Sequence, residues 1–476
     1  MHPPAAQSLA LLGCLTALGV GVSASRVHAQ DAPPALPPPA PDADDTDAPP
    51  SDEGELQEIT VTTAGRREER QADAVVGTEV IRRAQLLESG AENVAEALED
   101  LPGIEVVPAL QGTTVRMQGL DPQHTLILID GEPVIGRSDG ALDLTRLSLQ
   151  DVERIEVVRG ASSALYGSEA HGGVINIITR RATRPLAVDG RLTAGTYDPY
   201  QLDGTTLDGG LGLAVRRDDF RARLDVSVHR VGAYDLDTSD VATTGSQIEQ
   251  YDGSLRLSQH VGQSELGLRL RLSRRTLEGI DASATGAVYD RLNRIDELGV
   301  GATLSTQFTR GALATQVYFT QFFDQFVLDQ RGSTQEDLDQ DTRQRLGEVS
   351  SQYTFVSENE RHTLTVGADV RQESLSADRL SRVGRRTRTS PFVQYQALLY
   401  EGLNITLAPG FRLDVDSQFG VVPSPKLALR MDPHERLILR SSVGRGFRAP
   451  NFKELYLIFE NPSVGYRVVG NPNVRP

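Results

Sequence analysis

Between residues 181 and 476 polar and apolar residues take turns, and no other feature of the chain restricts its fold so tightly. In 221–231, Ala222, Leu224, Val226 and Val228 share one parity, while Arg223, Asp225, Ser227 and His229 share the other. Leu266, Leu268, Leu270 and Leu272 alternate with Gly267, Arg269 and Arg271. Leu364, Val366, Ala368 and Val370 repeat the pattern, as do Leu437, Leu439 and Val443. A period of two belongs to a strand with two unlike faces. Soluble sandwiches alternate as well, so the connections carry more weight. Short turns are expected near 217–219, 261–264, 309–311, 357–361 and 432–435. Long polar loops are expected near 232–249, 275–293, 327–343 and 374–388. Short and long connections alternate, which gathers the long ones at one end, as in outer-membrane barrels. Strands of about ten residues can cross a bilayer at a tilt, whereas sandwich strands average about half that. The spacing therefore predicts a transmembrane antiparallel β-barrel over 181–476, with about thirteen strands. With no Trp in the chain, an aromatic girdle must use Tyr and Phe.

The amino end has a different character. Residues 1–29 read as a signal peptide: an apolar run over 9–22, then a small-residue site at Val27-His28-Ala29, behind an n-region that lacks Lys and Arg. Leu11-Leu12-Gly13-Cys14 also has the form of a lipoprotein site, but the apolar run before Cys14 is short. Cys14 is the one cysteine, so no disulfide is available to the mature chain. Residues 30–57 are Pro, Ala and acidic residues with almost nothing to bury, which predicts an extended, disordered linker. Nine acidic residues and no Lys or Arg lie in 30–58, over half of the net charge of −17. The remainder is only mildly acidic and gives no reason to expect nucleic-acid binding.

Glu58-Ile59-Thr60-Val61-Thr62-Thr63 is a short β-prone segment stranded between this linker and Arg66-Arg67-Glu68-Glu69-Arg70. It reads equally as the first strand of the next domain or as a strand offered to a partner's sheet edge. From 65 to 180 the pattern predicts a small α+β domain. Ala91, Val94, Ala95, Leu98 and Leu101 are at helical spacing before Pro102-Gly103, and 104–107 and 125–129 are strands, the latter ending in an Asp130-Gly131 turn. Two further β-prone runs, 155–158 and 174–178, are joined by a Ser-, Ala- and Gly-rich turn.

These residues resemble the TonB-dependent outer-membrane receptor family. The likeness is carried by 58–64 (the family's TonB box), Leu101-Pro102-Gly103, LILIDGEPV at 126–134, RIEVVRG at 154–160 and SALYGSEAHGGVINIIT at 163–179. It continues in GFRAPNFKELYL at 446–457 and GNPNVRP at 470–476. Single pieces are weak; their common order is specific. The resemblance implies a plug domain, 65–180, inside a barrel of about twenty-two strands, so a chain with about thirteen is expected to be C-terminally incomplete. It implies uptake of a scarce ligand across the outer membrane of a Gram-negative bacterium by a monomer set in lipid. The TonB–ExbB–ExbD complex of the inner membrane would pull on Glu58, Ile59, Thr60, Val61, Thr62 and Thr63. Capture would fall to the outer loops and to the plug apices Leu110, Gln111, Gly112, Gly136, Arg137, Ser138, Asp139 and Gly140. Plug arginines pair with wall carboxylates in many members, and Arg159 and Arg116 are the candidates. Gln118-Gly119 stands where many members have Arg-Gly.

The ligand is expected to be a ferric siderophore, with cobalamin and then haem as alternatives. FRAP at 447–450 and NPNV at 471–474 resemble haem-receptor boxes, yet 451–470 contains no His. His124 and His171 fall in the plug, where a loop or packing role is the commoner one. No resident cofactor is expected, although Asp235, Asp237 and Asp240 share a loop with the composition of a calcium site. The enzyme motifs HExxH and the P-loop are missing. The rival class is an uncoupled porin or surface-binding barrel, which has no use for a box or a plug.

Overall fold

The computed structural model describes residues 60, 61, 63, 65–109, 112–137, 140–160, 162–196, 204–237, 239–283, 286–333, 337–434, 436–461 and 466–476. The expected signal peptide, linker, Glu58, Ile59, Thr62, Leu110, Gln111, Ser138 and Asp139 lie outside the described residues.

The chain enters through a two-rung antiparallel pair, β1 (Thr60–Val61) with β2 (Glu69–Arg70). Then come β3 (Thr78–Arg82), α1 (Arg83–Glu88), α2 (Val94–Leu98), β4 (Ile104–Ala109) and β5 (Gly112–Met117). They are followed by β6 (Thr125–Ile129), β7 (Glu132–Pro133), β8 (Val152–Arg159), α3 (Ser163–Tyr166) and β9 (Gly173–Thr179). Five strands form one sheet in the order β3-β8-β9-β6-β7, parallel only between β6 and β9, and β4–β5 is a separate hairpin. Every residue of β6 is buried, as are Gly173 to Ile178 of β9. That is why TLILI and VINII read as near-continuous apolar runs rather than alternating ones. Leu86, Leu98, Met117, Leu142, Leu144, Ile155 and Ile175 are almost completely buried around this sheet, each contributing about 1.5–3 kcal/mol. α2 begins where the Asn93 side chain accepts a hydrogen bond from the Glu96 N–H at 3.2 Å. The segment expected to be a plain turn between β8 and β9 contains α3, ended by Gly167 at φ 77°.

The wall follows as β10 (Leu186–Thr196), β11 (Thr205–Arg217), β12 (Phe220–Val231), β13 (Gln247–Val261), β14 (Ser264–Ala282) and β15 (Val288–Phe308). It continues through β16 (Gly311–Gln330), β17 (Leu338–Val356), β18 (His362–Ala377), β19 (Gly384–Tyr400), β20 (Ile405–Asp416), β21 (Gly420–His434) and β22 (Leu437–Gly444). These thirteen strands make one antiparallel sheet in sequence order. Among the described residues β10 and β22 do not pair with each other. Beyond β22 lie α4 (Phe452–Tyr456), β23 (Ile458–Asn461) and β24 (Tyr466–Val469).

The faces of the wall are inverted relative to a soluble sheet. Leu224 and Val226 are 44% and 38% exposed, while Arg223 and Asp225 between and beside them are 3% and 4% exposed. The apolar parity thus faces outward and the charged parity inward, as for a sheet surrounded by lipid. Exposed Phe220, Phe308, Tyr353, Phe355, Tyr395 and Tyr400 cluster at the short-turn end, the girdle that a chain without Trp can build.

The loop expectation needs correction. Only 232–246 is a long connection; 275–293, 327–343 and 374–388 are mostly strand, with 283–287, 331–337 and 378–383 left between strands. Polar sequence read as loop is held in ladder by cross-strand ion pairs. Within 275–293, Arg291 on β15 and Asp281 on β14 pair across the two strands, 3.2 Å apart.

Candidate functional site at the plug and its tether

The end of the expected partner-binding segment is fastened deep in the plug. The Thr63 N–H and hydroxyl both donate to Glu156 Oε2, at 2.8 and 2.6 Å. Asn176 Nδ2 donates to Thr63 Oγ1 at 3.0 Å, and the Tyr166 hydroxyl donates to the Thr63 carbonyl at 2.9 Å. Glu156 on β8 is fully buried and is neutralised by Arg154 at 2.8 Å. Burial holds the Tyr166 phenol well above its ordinary pKa, so it serves as a donor. Three residues on, Arg66 leaves the plug for the wall. Its guanidinium grips both oxygens of Asp369 at 3.1 Å, donates to Ser350 Oγ and to the Leu165 carbonyl at 3.0 Å, and lies 4.7 Å over the Phe392 ring.

The two arginines expected to reach the wall do not. Arg159 pairs with Glu79 and donates to the Pro102 carbonyl at 2.6 Å; β8 lies beside β3, which brings Glu79 to it. Arg116 stands directly opposite Glu105 in the β4–β5 hairpin, 3.9 Å away. The polarity of the interface is mostly the reverse of that expected, with carboxylates on the plug and arginines on the wall. Asp130 meets Arg256 at 2.5 Å and Arg269 at 3.3 Å, Glu132 meets Arg269, and Asp143 meets Arg275 at 3.4 Å. Arg146 to Glu297, at 3.2 Å, runs the other way. The Asp130-Gly131 turn, with φ of 50° and 82°, is the tight hairpin in which Gly is favoured. Burial alone would raise the Asp130 carboxyl, but Arg256 and Arg269, with the Thr179 hydroxyl and N–H, hold it well below the usual carboxylate range. Burial raises the Glu132 carboxyl, and Arg269 offsets this only in part.

At the apices, the Gly136 N–H donates to Gln344 Oε1 at 3.0 Å. Arg137 is spent within the plug, on the carbonyls of Thr125, Gly140 and Pro122 at 2.8, 3.1 and 3.3 Å, with Glu169 at 3.6 Å. Gly112 and Thr113 lie against Asp143, which accepts from the Thr113 N–H at 3.0 Å. The His124 and His171 rings are 5.6 Å apart. Burial, His171 and Arg448 lower the pKa of His124, which favours its neutral form. The calcium candidates are not brought together: Asp235, Asp237 and Asp240 each accept a backbone N–H two residues on, at 3.0, 3.0 and 2.7 Å. Each carboxylate closes its own turn. Among the described residues no group of three or more His, Cys, Asp or Glu is placed to hold a metal ion.

A plug sheet sits against a lipid-facing wall and is tethered at its amino end. That arrangement agrees with two family matches: "TonB-dependent Receptor Plug Domain" over 70–174 and "TonB dependent receptor-like, beta-barrel" over 183–476. The chain belongs to the TonB-dependent receptor family. Like other TonB-dependent receptors it is a protein of the Gram-negative outer membrane, and membership implies interaction with TonB and transport of a ligand. It is 24% identical over 440 residues to the vitamin B12 transporter BtuB of Vibrio cholerae, covering 90% of this chain and 67% of that one. It is 26% identical over 439 residues to the iron-regulated outer membrane virulence protein of Vibrio cholerae, covering 88% and 64%. Among solved TonB-dependent receptors, the siderophore receptor PirA from Acinetobacter baumannii superposes with a TM-score of 0.71 at 18% identity, covering 86% and 67%. PirA from Pseudomonas aeruginosa gives 0.65 at 23%, covering 84% and 69%. The chain thus spans about two thirds of the length of the relatives it matches.

Three signals in the sequence pointed toward this receptor's interface without identifying it. Arg66 stood in the charged run after the box, Asp130 in the predicted turn, and Arg269 on the polar parity of its strand.

Proposed function

We propose that the protein takes up a scarce ligand, a ferric siderophore, by energy-coupled transport in which the TonB–ExbB–ExbD complex pulls on residues 58–63. The observation that carries this reading is the fastening of Thr63 to Glu156 and Asn176, on the adjacent inner strands β8 and β9 of the plug sheet. Force applied to a strand held, among the described residues, by two rungs passes through these side-chain bonds straight into the sheet that blocks the lumen. An outer membrane has no nucleotide supply, so work must arrive through a mechanical link of this kind. An uncoupled porin needs neither the tether nor the plug.

Siderophore receptors among the structural neighbours and an iron-regulated relative support an iron chelate over cobalamin. Haem is third, because 451–470 offers no histidine between the two boxes. The receptor acts as a monomer. Val61→Pro removes the backbone donor by which the segment would join a partner's sheet. Uptake by this variant should be abolished while ligand binding to cells is unchanged. Uptake at the wild-type rate would end the coupled reading, and growth of a knockout on defined iron and cobalamin sources would separate the ligands.

A further inference from the structure

Arg223 lies directly opposite Arg256, and Arg256 directly opposite Arg269, on the successive strands β12, β13 and β14. All three are turned into the lumen, Arg223 with 3% of its side chain exposed and the other two with 16%. Like charges placed directly opposite on one face of a sheet repel, so the row requires anions. Arg223 has them on the wall, Asp225 at 2.5 Å and Asp189 at 3.2 Å. Arg256 and Arg269 do not: among the described residues their ion pairs are with Asp130 and Glu132 of the plug alone. The wall makes room for this arrangement. Gly301 is opposite Arg269 on β15, and a Cβ there would come 2.4 Å from Glu132 Oε1. Donors also remain unspent: the Nε–H groups of Arg221, Arg223 and Arg269 are buried without a partner among the described residues. The row borders a cavity of about 1580 Å³, open toward the short-turn end and lined also by Arg180, Arg221 and Arg310. Drug-sized ligand pockets are commonly about 300–1,000 Å³, so there is space for a chelate.

We propose that Arg223, Arg256 and Arg269 form an anion-binding stripe on the wall, closed by Asp130 and Glu132 at rest and offered to the anionic oxygens of the ligand when that hairpin is withdrawn. This rests on the transport reading and narrows its substrate to a polyanionic chelate. The exchange replaces carboxylate by oxyanion, so the mutual repulsion of the row is compensated at both ends of the movement. Guanidinium groups suit this role, since their planar fork donates paired N–H bonds to carboxylate and similar oxyanions.

The probe is pyrene tetrasulfonate, a fluorescent tetra-anion, titrated by anisotropy into the full-length protein in detergent without TonB and without any iron compound. Asp130→Asn with Glu132→Gln should bind it about tenfold or more tighter than the wild type, with strong salt dependence. Adding Arg256→Gln and Arg269→Gln should return affinity to the wild-type level or below, whereas Lys at both positions should keep most of the gain. Gly301→Leu opens the stripe by displacing Glu132 with both carboxylates intact, and should also tighten binding. No gain in the carboxylate variant or in Gly301→Leu, or a gain that survives loss of both arginines, overturns the stripe. Such a result leaves coupled uptake standing, because the Val61→Pro test is read from transport alone.

Discussion

Thr63 uses its N–H, its hydroxyl and its carbonyl in four hydrogen bonds to Glu156, Asn176 and Tyr166. Thr63→Val keeps the shape and removes the hydroxyl, leaving Glu156 and Asn176 each short of a partner in a buried site. Such a loss costs about 1–3 kcal/mol, so amide exchange at 63 and its neighbours should quicken by about tenfold or more. Unchanged exchange there would mean that the tether is held elsewhere. Asp130 supplies a pH test. Its carboxyl is held below the unfolded value of about 3.9, so its stabilisation is complete above about pH 4 and is lost as pH falls toward the folded pKa. The urea midpoint for plug release should therefore drop between about pH 4 and pH 2, and drop less in Asp130→Asn, already weakened at neutral pH. Neither contact was legible in the sequence. Arg159 carried the family motif but found Glu79 nearby, while Arg66 reached Asp369 across 303 positions, a choice that depends on the assembled fold.

Within a strand, parity decides what a substitution does. Leu268 is 45% exposed on the lipid side, and Arg269, the next residue, points into the lumen against Glu132. Leu268→Arg should cost about 2–4 kcal/mol near the bilayer midplane, measured by urea unfolding from liposomes, and Leu268→Phe should cost far less. Equal costs would contradict the outward assignment. This part of the fold was readable in advance: a period of two survives in the sequence however long the strand, which is why thirteen strands could be counted. Loop lengths were not readable, because 275–293 is polar enough for a loop and only the register, Glu278 against Leu292, makes it a ladder. α3 escaped for a different reason, since four residues are too few to show a helical period.

How the plug is seated against the wall is a property of the whole molecule. Apolar contact comes from Ile135 against Tyr318, Phe322 and Leu346, and from Val75 against Ala408 and Ala428. Charge comes from pairs such as Arg66 with Asp369. Arg66→Ala leaves Asp369 with Arg412 at 2.6 Å and Ser350 at 2.6 Å, so the carboxylate is not stranded. The loss should be about 1.5–3 kcal/mol rather than the larger cost of an uncompensated buried charge. Faster hydrogen exchange in α3, which Arg66 holds through the Leu165 carbonyl, would report it; protection equal to the wild type would place the seating on the apolar contacts alone. The sequence announced a small α+β domain followed by a wall, because each has its own periodicity, and the family resemblance implied that the first plugs the second. It did not announce which side carries which charge, since pairing polarity leaves no periodic trace.

β15 runs for 21 residues, about 70 Å of ribbon at 3.3 Å per residue, roughly twice what crossing the hydrocarbon requires. The surplus stands clear of the bilayer as a stiff turret instead of a slack fringe. On the uptake reading proposed above, a solute that alights there meets struts already set in place, so little chain freedom is surrendered on landing and no floppy lid has first to be frozen.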